Sequence, residues 1–282
     1  MTTPFGARLA AAMDTWGPLC VGIDPHPRLL ADWGLADNAA GLRTFALTVL
    51  EAVGGEVAAV KPQSAFFERH GSAGIAVLEE VLAATRAAGV LSILDAKRGD
   101  IGSTMTGYAD AYLRDGAPLA ADALTVSPFL GFGSLRPLVD AALGSGRGLF
   151  VLALTSNPEG AEVQHALGPD GRAVATRIAA AAAALNQGHE PLGSIGLVVG
   201  ATVGTAPREL SIDLTAVNGA LLAPGVGAQG AGPAELAAVF GAARRQVLAS
   251  SSRGVLGAGP EVAALRAAAH RAAAQVSTAL RG

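Results

Sequence analysis

The sequence predicts a single (β/α)₈ barrel spanning residues 1–282, and three observations predict it. Eight short apolar runs recur along the chain, Ala-rich stretches of helical length separate most of them, and nearly every run ends in polar residues, Gly and Pro. Parallel strands need crossovers of a dozen or more residues, usually helices, and the spacings between the runs supply them. A doubly wound open sheet is the structural alternative. With 51% hydrophobic and only 15% charged residues, 282 residues can bury a substantial core and are too apolar to stay disordered.

In chain order, the predicted strands are Leu19 to Ile23, Val57 to Val60, Val90 to Leu94, Ala123 to Val126, Leu149 to Leu154, Ile195 to Val199, Ala220 to Ala223 and Val247 to Ser250. Predicted crossover helices include Asn38 to Val53, Ile75 to Ala88, Ala173 to Asn186 and Ala234 to Arg245. The segment Pro260 to Leu280 places Pro in a first helical turn and closes the last unit. No linker of Pro, Ser or charge runs divides the chain, hence the expectation of one domain.

Composition excludes several function classes. A formal net charge of −3 gives no general field for polyanions, so nucleic acid is not an expected partner. The single cysteine, Cys20, rules out an internal disulfide, and its place within an apolar run reads as a buried strand thiol. Asp14 and Gly17 interrupt the N-terminal apolar stretch, which therefore lacks a secretory core, and no run suits a membrane span. The expectation is a soluble, cytoplasmic protein. The five histidines are scattered without zinc spacing, and Ser127, Ser156 and Ser252 lack a G-x-S-x-G elbow. Trp16 and Trp33 fit either core or rim.

The densest chemistry is Asp95-Ala-Lys97-Arg-Gly-Asp100-Ile101-Gly-Ser-Thr104, directly after the third run. Period-two alternation points Asp95 and Lys97 the same way at the strand end, while Asp100, past Gly99, belongs to the loop or the start of the next helix, with Thr104 about one turn later. Charges grouped this closely after an apolar strand need partners, so the bland reading is a structural salt bridge. Lys61 ends the neighbouring predicted strand and completes a row of alternating sign: Lys61, Asp95, Lys97 and an acid from Asp100. Such a row neutralises itself pairwise while holding fixed charges in a poor solvent, ready for a substrate.

Other strand ends add Asp24, Thr125, Ser156, Pro224, Val226 and Gly227 to the candidate contacts. Gly225-Val-Gly227-Ala-Gln229-Gly230 matches G-x-G-x-x-G, but it lies late in the chain and no carboxylate follows at the distance a ribose hydroxyl requires. Barrels usually hold phosphate with the loops after strands seven and eight, and Arg253 in the eighth unit complements the glycine-rich turn in the seventh.

From GIDPHP through AVKPQSAFFE, DAKRGDI, TVSPFLG, LTSNP, PGVGAQG and SSSRG, in that order, the chain resembles the longer bacterial variety of orotidine 5′-phosphate decarboxylases. The resemblance implies a metal-free, cofactor-free decarboxylation giving uridine 5′-phosphate, in a homodimeric barrel. It implies that Lys97 protonates the C6 carbanion, Asp95 crowds the departing carboxylate, and Lys61 helps hold the charge row and the ribose. Asp100, Ile101 and Thr104 would enter from a partner subunit, Asp24 would contact ribose, Ser156 the pyrimidine, and Gln229 with Arg253 the phosphate. The stretch from Glu159 to Pro191 is longer than in short members, and Ser252 stands where they usually carry Gly. Two other readings stay open: a Mg²⁺-dependent sugar-phosphate decarboxylase or aldolase of the same superfamily, and a barrel that binds nucleotides without turning them over.

Overall fold

The computed structural model describes residues 3–226 and 231–281, with Pro233 described by its backbone alone. Eight parallel strands close into a barrel in sequence order: β1 (Leu19–Ile23), β2 (Ala59–Pro62), β3 (Leu91–Arg98), β4 (Ala123–Val126), β5 (Gly148–Leu154), β6 (Gly193–Val199), β7 (Gly219–Pro224) and β8 (Val247–Ser251), with β8 pairing back onto β1. Helices lie between successive strands and complete the alternation that the apolar runs predict.

Period-two alternation sorts the strands into two apolar layers. Val21, Val60, Leu94, Leu124, Val151 and Leu221 face outward into the layer between strands and helices. Cys20, Ala59, Ile93, Ala123, Phe150, Val198, Leu222 and Leu248 face inward and fill the barrel, which is a packed core rather than a pore. Burial pushes the Cys20 thiol up to about 12, so it stays a neutral packing group.

The N-terminal mouth is closed by the Phe5–Trp16 helix, whose buried face is Phe5, Leu9 and Met13. Phe5 meets Phe150 edge to face at 6.0 Å between ring centroids. Gly148 makes room for that ring, since a Cβ there would run into it. The Gly6 amide donates to Ser194 Oγ at 3.2 Å, and Arg8 pairs with Asp122 at 2.6 Å. Full burial of each large apolar side chain in such a plug contributes about 1.5–3 kcal/mol.

Several boundaries depart from the sequence expectation for physical reasons. β2 and β3 continue past their apolar runs, through Lys61 and Pro62 and from Asp95 to Arg98, because polar side chains at the C-terminal mouth still sit on paired strands. The helix expected over Ala234 to Arg245 ends at Phe240; Gly241, with φ at +48°, turns the chain into a 3₁₀ segment, Gly241–Gln246. The final helix runs Val262–Arg281, so Pro260 lies ahead of it rather than in its first turn. Trp33 is buried and donates to the Leu256 carbonyl at 3.1 Å, whereas Trp16 is exposed.

Candidate active site

The inward register of the barrel carries directly into the site. Two residues beyond Ala59, Ile93, Ala123, Leu222 and Leu248 stand Lys61, Asp95, Thr125, Pro224 and Ser250, all lining a cavity of about 320 Å³ at the C-terminal mouth. Leu152, Val198 and Leu222 form its apolar floor. The polar layer is therefore the next step of the same alternation that builds the core beneath it.

Asp95 is the hub. Its carboxylate accepts four hydrogen bonds: from Lys61 Nζ at 2.8 Å, Gln63 Nε2 at 3.2 Å, Lys97 Nζ at 2.6 Å and Thr125 Oγ1 at 2.9 Å. The Thr125 hydroxyl in turn accepts the Lys97 backbone N–H at 3.0 Å, tying backbone and side chain of Lys97 to one acceptor system. Side-chain exposure is 8% for Lys61 and 9% for Asp95 but 46% for Lys97, so only the third member of the row faces open space. Burial alone would favour the neutral acid, but the charges and hydrogen bonds of Lys61 and Lys97 outweigh it and hold Asp95 well below the usual carboxylate range. Burial likewise opposes the charge on Lys61, and Asp95, with Asp24 behind it, more than reverses that effect and raises its pKa.

Lys97 reaches Asp95 by a route the alternation argument does not contain. Register pairs Leu94 with Leu124 and Arg98 with Val126, so five residues of β3 face three of β4. The excess is absorbed at Lys97, whose φ is +47°. The two side chains meet as expected, through a bulge rather than through regular pleating.

Asp24, Ser156, Pro224, Val226 and Arg253 also line the cavity. Asp24 Oδ1 is buried and has no hydrogen-bond partner among the described residues, an acceptor held ready at the cavity wall. Arg253 opens a short helix after β8, and among the described residues it has no ion-pair partner. Gly227 and Gln229 fall outside the described residues. Asp100, Ile101 and Thr104 do not line the cavity of their own chain: Asp100 Oδ1 accepts the Ile101 backbone N–H at 2.8 Å, and Ile101 is 61% exposed.

Three features were given no role by the sequence reading. Gln63 joins Asp95 through an isolated bridge that extends β2, a placement visible only once β2 and β3 are paired. Asn157 and Ser251 line the cavity from the ends of the fifth and eighth units, where their short polar side chains resemble ordinary loop residues. Gln164, within the long stretch after β5, accepts the Thr155 N–H at 2.9 Å and donates to the Thr155 hydroxyl at 2.7 Å. That double clamp holds the residue preceding Ser156, and nothing in the local pattern around Gln164 marks it. Among the described residues, no three His, Cys, Asp or Glu side chains gather as a metal site. No described helix is long and apolar enough to cross a membrane.

A closed parallel barrel that keeps a lysine, a carboxylate and a second lysine in contact at its C-terminal mouth has the site plan of an enzyme acting on an anionic substrate with fixed charges. A sequence model of the orotidine 5′-phosphate decarboxylase / HUMPS family matches residues 17–268, and the chain belongs to that family. It is 62% identical over 98% of its length to the orotidine 5′-phosphate decarboxylase of Streptomyces coelicolor, of which the match covers 98%. Identity to the enzyme of that name from Salinispora arenicola is 60%, covering 99% of both chains. A Streptomyces avermitilis crystal structure assigned to the same activity superposes with a TM-score of 0.96 at 63% identity, covering 100% of this chain and 97% of that one.

Proposed function

We propose that the chain, acting as one barrel domain, removes carbon dioxide from orotidine 5′-phosphate to give uridine 5′-phosphate, the last step of pyrimidine nucleotide synthesis. One observation carries the reading: a single buried carboxylate, Asp95, bridged by the ammoniums of Lys61 and Lys97 at the mouth of the cavity. Loss of carbon dioxide from C6 leaves a carbanion without resonance support, so the site needs a close, fixed cation that can donate a proton. Lys97 fills that role, being the more exposed of the two lysines. Asp95 repels the substrate carboxylate more than it repels a transition state whose charge has moved toward the ring. Lys61 holds Asp95 ionised and in place and reaches toward the ribose.

Remote groups supply binding. The free Asp24 oxygen accepts from a ribose hydroxyl, Ser156 and Thr125 face the base, and Pro224 and Val226 pack along the nucleotide. Arg253, with Gly227 and Gln229 of the turn after β7, takes the phosphate, where a guanidinium and backbone amides suit a dianion. Such contacts can be spent on orienting the reacting end. The chemistry uses no cofactor and belongs in the cytoplasm.

The row is one acid short within a single chain, since Asp100 turns to its own backbone. A second copy completes it, lending Asp100, Ile101 and Thr104 across a two-fold interface. Exposed Phe129, which lines a neighbouring pocket together with Lys97, gives that interface an apolar contact. Mixing Lys97→Ala with Asp100→Ala protein, each inactive alone, should restore roughly a quarter of wild-type activity after subunit exchange. Exchange without recovery would place Asp100 in its own chain's site.

A magnesium-dependent sugar-phosphate reading fits less well, because Lys61 occupies a strand end where a metal ligand would be an acid. The deciding experiment follows the ultraviolet absorbance of orotidine 5′-phosphate with purified protein, before and after chelator treatment. Full activity in both supports the proposal; no loss of substrate sinks it, and activity abolished by chelation and restored by Mg²⁺ favours the alternative.

A further inference from the structure

Lys97 is one of three non-glycine residues with positive φ among the described residues, and the only one of those three that lines the cavity. A left-handed backbone at an L-residue persists only where its surroundings hold it. The Lys97 N–H bond to Thr125 holds it from the inside of the barrel. On the outside, the next residue makes a bracket. Arg98 Nη1 donates to the Ala96 carbonyl at 3.2 Å, so the side chain after Lys97 grips the peptide group before it. Its Nε donates to the Tyr112 hydroxyl at 3.2 Å, its Nη2 pairs with Glu68, and its guanidinium lies 5.7 Å from the ring centroids of both Tyr108 and Tyr112.

The bracket also reaches the first lysine's strand. Glu68 accepts from the Ser64 hydroxyl at 2.5 Å, and Ser64 is buried next to Gln63, whose amide donates to Asp95. Arg98 therefore links the helix after β2, the bulge of β3 and the helix Gly102–Tyr112, while contributing no atom to the cavity lining.

We propose that Arg98 is a positioning residue for the decarboxylation: anchored by Glu68 and Tyr112, it fixes the left-handed turn that keeps the Lys97 ammonium on Asp95. The inference rests on the reading of Lys97 as proton donor, and it makes a distinct claim about how that donor is aimed. Arginine suits the task because its planar fork satisfies a carbonyl, a hydroxyl and a carboxylate at once, which the three-donor point charge of lysine cannot reproduce in the same geometry.

The test compares Arg98→Met, Arg98→Lys and Glu68→Gln in the full-length protein. Arg98→Met should lower kcat by roughly 30- to 100-fold, the scale of a misplaced reacting group, while the Kd for uridine 5′-phosphate stays within about threefold. Arg98→Lys should recover only part of that loss, and Glu68→Gln should show a smaller fall in kcat with the same unchanged Kd. Crystal structures of the variants should show Lys97 relaxed to negative φ with its ammonium off Asp95. The proposal is overturned if kcat stays within twofold of wild type in both Arg98→Met and Glu68→Gln, or if kcat falls while Lys97 keeps its turn and its contact. If Arg98→Met does not fold, Glu68→Gln decides alone, since it leaves the arginine in place. Should the wild-type chain prove inactive on orotidine 5′-phosphate, the functional reading fails by itself, and the Lys97 geometry in the variants still decides whether Arg98 holds the turn.

Discussion

The two ends of the barrel each hold a carboxylate against a cation, and they use it differently. At the N-terminal end, Asp122 accepts from Arg8 and from both the backbone and the hydroxyl of Ser92, while Arg8 also reaches the Gly146 carbonyl. One cation meets one acid, the cation rides on the helix that plugs the mouth, and among the described residues no second cation shares the acid. At the C-terminal end, Asp95 bridges two ammoniums, and one of them, Lys97, is nearly half exposed toward a cavity. An ammonium has three donors, and Lys97 commits one of them to Asp95 among the described residues. The same residue chemistry is thus closed at one end and left open at the other. The open end is where reaction chemistry can be done.

The same substitution at the two ends gives the sharpest contrast. Asp95→Asn should cut turnover by roughly 10²- to 10³-fold, the scale of losing one fixed electrostatic group, and also destabilise the fold, because two ammoniums lose their shared partner. Asp122→Asn should cost about 1.5–3 kcal/mol of stability, the worth of a hydrogen bond to a charged group, with kcat/KM unchanged. Steady-state kinetics beside urea unfolding separates them; a kinetic defect in Asp122→Asn would erase the distinction between the ends.

Arg253 belongs to the open end but away from the reacting row. Arg253→Ala should lower kcat/KM by about 2–4 kcal/mol equivalent, and the defect should shrink sharply on orotidine without its phosphate. An equal loss on both substrates would remove Arg253 from phosphate binding.

A smaller effect lies in the pH dependence of stability. The Asp95 pKa is lowered from its ordinary 3.8, so its contribution is complete above that value and is lost as pH falls through the folded-state pKa beneath it. The Lys61 pKa is raised from its ordinary 10.5, so its contribution is complete below that value and is lost as pH rises through the folded-state pKa above it. The stability difference between wild type and Asp95→Asn should therefore be flat from neutral pH down to about 3.8 and shrink below it. A difference that stays constant through the acid range would mean that Asp95 is not held ionised by its neighbours.

What the sequence made legible follows from where apolar residues are obliged to be. Strands that fill a barrel read as apolar runs, so all eight stood out, and so did the clusters that follow them. The apolar runs themselves stop short of the polar ends of β2 and β3, because Lys61 and Asp95 to Arg98 interrupt the hydrophobic signal while the strands run on through them. Alternation placed Asp95 and Lys97 together, but it carried no information on the bulge that brings Lys97 there. The roles of Gln63 and Gln164 were not legible for another reason: each acts through a partner distant in sequence or across a loop, Asp95 in one case and Thr155 in the other. Arg98 stood inside the most prominent motif and was passed over because it points away from the cavity.

The central claim is that the open charge row, rather than the barrel that carries it, performs the reaction, and Lys97→Ala tests it most directly. Turnover of orotidine 5′-phosphate should fall by at least about 10²- to 10⁴-fold, the range for loss of a positioned general acid, while circular dichroism stays close to wild type. Near-normal turnover in a variant with a normal spectrum would contradict the account, because among the described residues no other proton donor at the cavity is held against Asp95 with its ammonium open to substrate.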